Sequence, residues 1–142
     1  MSQNLILLPV AAQVLLTSAV LLATVVARGR SMRETGKTAQ DLALATAADW
    51  TPAARQASNN YSNQFELPVL FYAVTAFALI ARMADAWMIG LAWIFVASRV
   101  VHSVVHLTSN IVRWRGPVFV IGFVTLLVMW GLLVWRVAQA GF

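Results

Sequence analysis

Residues 87–107 have the sequence WMIGLAWIFVASRVVHSVVHL, an apolar run that is long enough to cross a bilayer and carries Arg99, His102 and His106. With Arg113, these side chains follow one another at intervals of three, four and seven residues. At about 100° per residue they lie on one side of a helix, within roughly 60° of each other. A charged group at membrane depth costs about 2.5–3.5 kcal/mol, so this side requires an interior surface or a hydrated cavity. The run therefore predicts a membrane helix with a functional polar side.

The rest of the composition is also that of a membrane protein. Of 142 residues, 61% are hydrophobic and 11% are charged, whereas soluble domains carry about 25% charged residues. The apolar runs predict four spans, at about 5–27, 60–81, 87–107 and 118–137. We expect an all-α fold, a four-transmembrane-helix bundle that forms a single multi-pass domain over residues 1–142. It would contact membrane lipid, in the inner or cell membrane if the chain is bacterial.

Basic residues indicate how the bundle is oriented. The 28–59 loop contains five Lys and Arg residues and the 109–117 link contains two, so both connections are expected to be cytoplasmic, with the N and C termini outside. This asymmetry accounts for the net charge of +5 without nucleic-acid binding. Within the loop, Thr38–Ala48 predicts a short interfacial helix. Arg113–Pro117 predicts a tight link before the last span.

The second span begins with polar residues. Asn59, Asn63 and Glu66 are spaced at i, i+4 and i+7, which places them on one helix face. Glu66 falls inside the span and needs a partner, for which Arg99 is the natural candidate. A buried Glu66–Arg99 ion pair that fixes helix register is one interpretation. Pro68, just beyond, is expected to bend the helix.

Metal chemistry is not expected. The chain has no cysteine, which excludes disulfides, a protein thiol nucleophile and cysteine-ligated metal sites. His102 and His106 have the i, i+4 spacing of a helical metal pair. Two histidines on one helix face are more often hydrogen-bonded interior groups. We therefore interpret His102 as a structural polar residue and predict no metal.

Three segments resemble one known family. The segments NQFELPVLFY at residues 63–72, RVVHS at 99–103 and HLT at 106–108 are similar to the MAPEG superfamily, membrane-associated proteins in eicosanoid and glutathione metabolism that include the microsomal glutathione transferases. The resemblance extends over nearly the whole chain. It implies a homotrimer of four-helix subunits, with glutathione bound between neighbouring subunits near the cytoplasmic face.

The resemblance also implies an activity and its residues. Glutathione would be the co-substrate, and Arg113 would stabilise its thiolate for attack on a lipophilic electrophile or a hydroperoxide. The implied substrate-binding residues are Asn59, Asn63, Glu66, Arg99, His106, Arg30 and Arg115. In the glutathione-using members, an Arg usually precedes the Asn of an Asn-x-x-Glu motif by four residues, and two alignments of this motif remain open. If Asn63 and Glu66 match the motif, Asn59 replaces the Arg. If Asn59 matches the Asn, Arg55 is the Arg, but Ser62 replaces the Glu. His106 stands where the transferases have Tyr.

A non-catalytic function is the alternative. The same polar residues would hold helix and subunit interfaces together in a trimeric membrane scaffold or accessory subunit. Unpaired charges within a membrane are costly, so such residues can be required for assembly alone.

Overall fold

The computed structural model describes residues 2–44 and 46–140, and most of these residues are helical. Its five α-helices are α1 (Leu7–Thr35), α2 (Pro52–Ser62), α3 (Leu67–Ile80), α4 (Ala86–Leu107) and α5 (Val112–Ala140). Short 3₁₀ turns at Gln3–Ile6, Ala47–Asp49 and Asn63–Phe65 join or extend these helices. The all-α prediction is confirmed.

Within residues 2–44 and 46–140, four helical segments are long and apolar enough to cross a membrane, as predicted. They are Gln3–Thr35, Pro52–Ile80, Ala86–Leu107 and Val112–Ala140. The first, second and fourth are longer than the expected 5–27, 60–81 and 118–137, because helical hydrogen bonding continues through polar residues past the apolar runs. The 28–59 loop is correspondingly shorter, and its irregular part lies between Thr35 and Pro52.

The expected interfacial helix over Thr38–Ala48 is wrong for the part that the structure describes. Residues 39–44 form turns, and among the described residues only the three-residue 3₁₀ turn Ala47–Asp49 follows. Asp41 accepts hydrogen bonds from the backbone N–H and the hydroxyl of Thr38. Such local bonds compete with helical ones. Ala45 lies outside the described residues.

The helix that contains Arg99 ends before Arg113. The prediction that Arg99, His102, His106 and Arg113 share one side of a single helix is therefore wrong for Arg113. Thr108 leaves the helical conformation, and Asn110 adopts a left-handed φ of 51°, a conformation that Asn tolerates better than most residues. The Asn110 N–H closes the end of α4 on the Val105 carbonyl at 2.8 Å. Arg113 therefore lies in the first turn of α5, and the predicted link Arg113–Pro117 is helical.

The second span is interrupted at Glu66, in agreement with the bend predicted from Pro68. The chain passes from α2 through the 3₁₀ turn Asn63–Phe65 to Glu66, whose φ and ψ of −94° and −99° are not helical. Pro68 has no N–H and restricts the residue before it. It lies in the first turn of α3, where its missing donor is tolerated. Glu66 is thus placed at a junction between two helices.

The core surrounds α4 and the surface is apolar. Phe71 of α3 stacks on Phe95 of α4 with ring centroids 4.5 Å apart, and Met88, Leu126 and Met129 are also buried. Many large apolar side chains are exposed, among them Leu15, Leu22 and Ile80. Exposed apolar area on this scale is expected where helices face lipid.

Candidate functional site

A polar cavity of about 340 Å³ opens at the end of the bundle where α2 begins and α4 ends, which we call the polar end. The face of α2 and its following turn supplies four residues, α4 supplies one and α5 supplies one. The lining residues are Asn59, Ser62, Asn63, Glu66, His106 and Arg115. The structure therefore brings together five of the predicted substrate-binding residues. Ser62 joins them because it lies one helical turn after Asn59.

Hydrogen bonds hold the α4 and α5 sides of this cavity in place. The Asn63 amide nitrogen lies 3.5 Å from Nδ1 of the His106 ring. The Arg115 guanidinium donates to the Asn110 side chain at 2.6 Å. Asn110 was not identified from the sequence. The signal was available, since Asn is one of the few residues that tolerate the left-handed conformation seen in this turn.

Arg99 supports the site from inside the bundle and does not line the cavity. It is only 1% exposed, and its Nη2 donates to the Asn63 carbonyl at 3.0 Å. Its guanidinium carbon lies 5.8 Å from the Phe119 ring centroid, within the range of a cation–π interaction. Its Nε and Nη1 have no partner among the described residues. Arg99 thus fixes the backbone of the turn that carries Asn63.

The proposed Glu66–Arg99 ion pair does not form. Across residues 2–44 and 46–140, the ion pairs are Lys37–Asp49 and Arg136–Asp85. Glu66 is exposed. It faces the cavity that contains Arg115, because the break before α3 carries Glu66 away from the helical path on which its pairing with Arg99 was predicted.

His102 lies behind the cavity in the interior. It is 3% exposed, and its Nδ1 lies 3.3 Å from the Arg115 carbonyl. Its ring meets the His106 ring edge-on at 5.8 Å between centroids. Within the described residues, no three His, Asp or Glu side chains are grouped as metal ligands would be.

Arg113 and Arg30 lie elsewhere. Arg113 is exposed in the first turn of α5 and does not line the polar cavity of the single chain. Arg30 lines a different, mostly apolar cavity of about 600 Å³ between α1, α2 and the end of α4. These two cations are therefore not brought together with Asn63 and Glu66 within one chain.

α4 and α5 pack closely beside Arg99 at Gly122, a residue that was not identified from the sequence. A Cβ at Gly122 would lie 2.6 Å from the Ser98 hydroxyl oxygen and 3.9 Å from Arg99 Cδ. Gly122 thus allows α5 to approach α4 beside the buried arginine. The sequence gives no specific signal for it, because glycine is common in membrane helices.

A buried set of amides connects the site to α1. Gln13 of α1 donates to the Gln64 side chain at 3.1 Å, and Gln64 donates to the Ser103 hydroxyl at 3.1 Å. Asn60 donates to the Ser103 carbonyl at 3.4 Å. This layer joins three helices directly beneath the cavity. The amide nitrogens of this layer are paired, whereas Gln13 Oε1 and Asn60 Oδ1 have no partner among the described residues.

Four apolar helical spans among the described residues, with a polar cavity between the second, third and fourth, define the class of this protein, a polytopic membrane protein with a polar cavity at one end. The sequence profile of the MAPEG family matches residues 6–135, and the chain belongs to this family. Comparisons with curated proteins and with solved structures return no match. The family resemblance of the sequence is thereby confirmed.

Proposed function

We propose that the protein is a glutathione-dependent membrane transferase or peroxidase that uses the cavity at the polar end. The observation that carries this proposal is the meeting of Glu66, Arg115, His106 and two Asn side chains around one cavity of about 340 Å³. Small-molecule sites have volumes of about 300–1,000 Å³ and a few convergent polar groups. Membership of the MAPEG family supports glutathione as the ligand.

The chemistry of the lining matches the groups of glutathione. The Arg115 guanidinium can bind a carboxylate through paired hydrogen bonds. The Glu66 carboxylate can accept the ammonium, and Asn59 or Asn63 can bond a peptide group. Both signs of charge therefore occur in one cavity, as a zwitterionic tripeptide requires. His106 can donate to the ligand where family transferases have Tyr.

Arg113 is assigned to the thiolate by analogy with the family. A thiol with a pKa of about 8.5 becomes mostly ionised at neutral pH when a nearby cation stabilises the thiolate. The thiolate then forms a carbon–sulfur bond, and the leaving group departs with the bonding electrons. With a hydroperoxide, two glutathione molecules become the disulfide, and the alcohol and water are released. Because Arg113 is exposed, it would reach the sulfur at the boundary with a second subunit of a homotrimer.

Calorimetry with glutathione at millimolar concentration tests the proposal. We expect binding by the purified protein, and about tenfold or greater weakening in Arg115→Ala and in Glu66→Gln because each removes a charge-assisted bond. Arg113→Ala is expected to lower kcat more than binding, since it acts on the thiolate. Arg82→Ala, at the opposite end, is the matched control. The absence of binding by the folded wild-type protein would exclude this function.

A scaffold function has one specific observation in its favour. Glu66 is exposed in a single chain although it lies within the second membrane span. An unpaired carboxylate there is costly, so a neighbouring subunit could supply its partner. On this reading, Glu66→Gln dissociates the oligomer during gel filtration. If the Glu66→Gln oligomer stays intact while glutathione binding is lost, the result supports the glutathione-dependent enzyme and contradicts the scaffold function.

A further inference from the structure

A second polar cavity, of about 480 Å³, lies beside the proposed glutathione site. Its cationic groups are Arg28, near the polar end of α1, and Arg55 of α2. Trp50, from the segment that connects α1 to α2, also lines it. It shares only Asn59 with the first cavity. Among the described residues that line it there is no Asp or Glu. The lining is therefore suited to an anion, and the proposed function does not use its two arginines.

Arg28 is held in position at this cavity. Its Nε donates to the Ser58 hydroxyl at 3.0 Å, and its guanidinium carbon lies 5.0 Å from the Trp50 ring centroid. No hydrogen bond with another described residue uses its two terminal nitrogens. A guanidinium fixed through one edge and one face presents a preorganised pair of donors to a ligand.

Nearby carboxylates are engaged elsewhere. Asp49 pairs with Lys37 at 2.8 Å and accepts from Thr46 at 2.8 Å, while Asp41 accepts from Thr38. The positive charge of Arg28 and Arg55 is thus left for a ligand.

A mostly apolar cavity of about 600 Å³, whose lining includes Arg30, adjoins the polar one and shares Gln56 with it. Leu22, Val26, Ala57 and Leu107 are among its lining residues. The Gln56 amide nitrogen donates to the His106 carbonyl and lies 3.5 Å from the Thr108 carbonyl, which fixes it at the end of α4. The two cavities together offer one cationic compartment, which suits an anion, and one mostly apolar compartment.

The depth of this pair in the membrane identifies the ligand class. Arg28 directly follows the apolar run 5–27, so it lies where hydrocarbon gives way to headgroups. We infer that the two cavities form a binding site for an anionic phospholipid, with the phosphate at Arg28 and Arg55 and an acyl chain along Leu22 and Val26. This site goes beyond the proposed glutathione function and does not depend on it.

Native mass spectrometry of the detergent-purified protein tests the site, with phosphatidylglycerol as the probe and phosphatidylcholine for comparison. We expect tighter retention of phosphatidylglycerol, and at least about tenfold weaker retention in Arg28→Gln/Arg55→Gln, because two charged hydrogen-bonding groups are lost. Arg33→Gln/Arg82→Gln removes the same net charge from outside the cavity and should retain the lipid. Equal retention by both double variants would overturn the assignment.

The apolar compartment is tested separately. Val26 and Val25 are both exposed neighbours on α1, and only Val26 lines the cavity. Val26→Trp should fill the cavity and weaken phosphatidylglycerol retention, while Val25→Trp should not. Calorimetry with glycerol 3-phosphate, a soluble probe, should be unaffected by Val26→Trp. Binding of glycerol 3-phosphate together with unchanged lipid retention in Val26→Trp would overturn the lipid assignment in favour of a soluble phosphate.

Glutathione binding distinguishes this inference from the proposed function. Arg28→Gln should bind glutathione within about twofold of the wild type, since Arg28 does not line the proposed glutathione cavity. Displacement of phosphatidylglycerol by glutathione would show that both cavities form one site and would overturn the inference. Retention of lipid by a protein that does not bind glutathione would sustain the inference and exclude the enzyme.

Discussion

Arg99 determines how the residues around it can be arranged. Its buried guanidinium is bonded to the Asn63 carbonyl and faces the Phe119 ring. The contact with Phe119 requires α5 to lie close to α4, which the absence of a side chain at Gly122 permits. One arginine, one carbonyl and one glycine therefore fix the turn from which Asn63 reaches the cavity.

Gly122→Ala is expected to destabilise the protein by about 1–3 kcal/mol, because the new methyl group overlaps the Ser98 hydroxyl. In a Ser98→Ala background the same change should be neutral or stabilising, since Ala is the better helix former by about 1 kcal/mol. Unfolding in mixed micelles measures both differences. An equal loss of stability in the two backgrounds would show that the overlap is not with Ser98.

At the scale of the helices, the sequence predicted those features that depend on residue type and periodicity. The four spans and the bend at Pro68 occur, and Asn59, Asn63 and Glu66 line one cavity, although Asn63 and Glu66 lie beyond the end of α2. The spans and the bend follow from the length of the apolar runs and from the missing proline donor.

The errors arose where a local conformation overrides periodicity. The end of α4 at Thr108 and Asn110 separates Arg113 from Arg99, although their spacing fits one helix. The non-helical Glu66 removes the predicted pair with Arg99. Arg115 reaches the cavity because of how α5 packs against α4, and the spacing of residues along the sequence does not specify this packing.

The segment between α1 and α2 should respond to acid. Lys37 and Thr46 lower the pKa of the Asp49 carboxyl from 3.8 to about 2. A lowered carboxyl pKa means that Asp49 stabilises the segment above about pH 4 and that this contribution is lost as the pH falls through about 2. Subtracting the fluorescence of Trp50→Phe from that of the wild type isolates the emission of Trp50. This emission should change between about pH 4 and pH 2, because Trp50 directly follows Asp49 at the end of the segment.

Asp49→Asn is the control for the acid response. This variant lacks the titrating group, so its Trp50 signal at pH 7 should already equal that of the acidified wild type. A transition of the same size between pH 4 and pH 2 in Asp49→Asn would assign the change to another carboxyl.

On the scale of the whole molecule, the two ends of the bundle differ. At one end Arg136 pairs with Asp85 at 2.6 Å, which links the end of α5 to the start of α4. At the same end Gln3 donates to the Arg82 carbonyl at 2.7 Å, which links the turn before α1 to the connection between α3 and α4. The other end has the two polar cavities. The ligand chemistry proposed for this protein is therefore confined to one side of the membrane.

The absence of cysteine makes the predicted orientation directly measurable. Ser2→Cys and Gln40→Cys each introduce one exposed thiol, at opposite ends of the bundle. A maleimide that does not cross membranes should label Ser2→Cys in intact cells and Gln40→Cys only after permeabilisation, because basic residues are retained on the cytoplasmic side. The opposite labelling pattern would invert the proposed topology.

The buried arginine also constrains how the chain enters the bilayer during synthesis. The third span, delivered alone, would expose an uncompensated guanidinium to acyl chains at a cost of about 2.5–3.5 kcal/mol. Its carbonyl partner at Asn63 precedes it in the chain, and Phe119 follows it. The third span is therefore expected to leave the translocon together with the second, as a hairpin that the fourth span then closes.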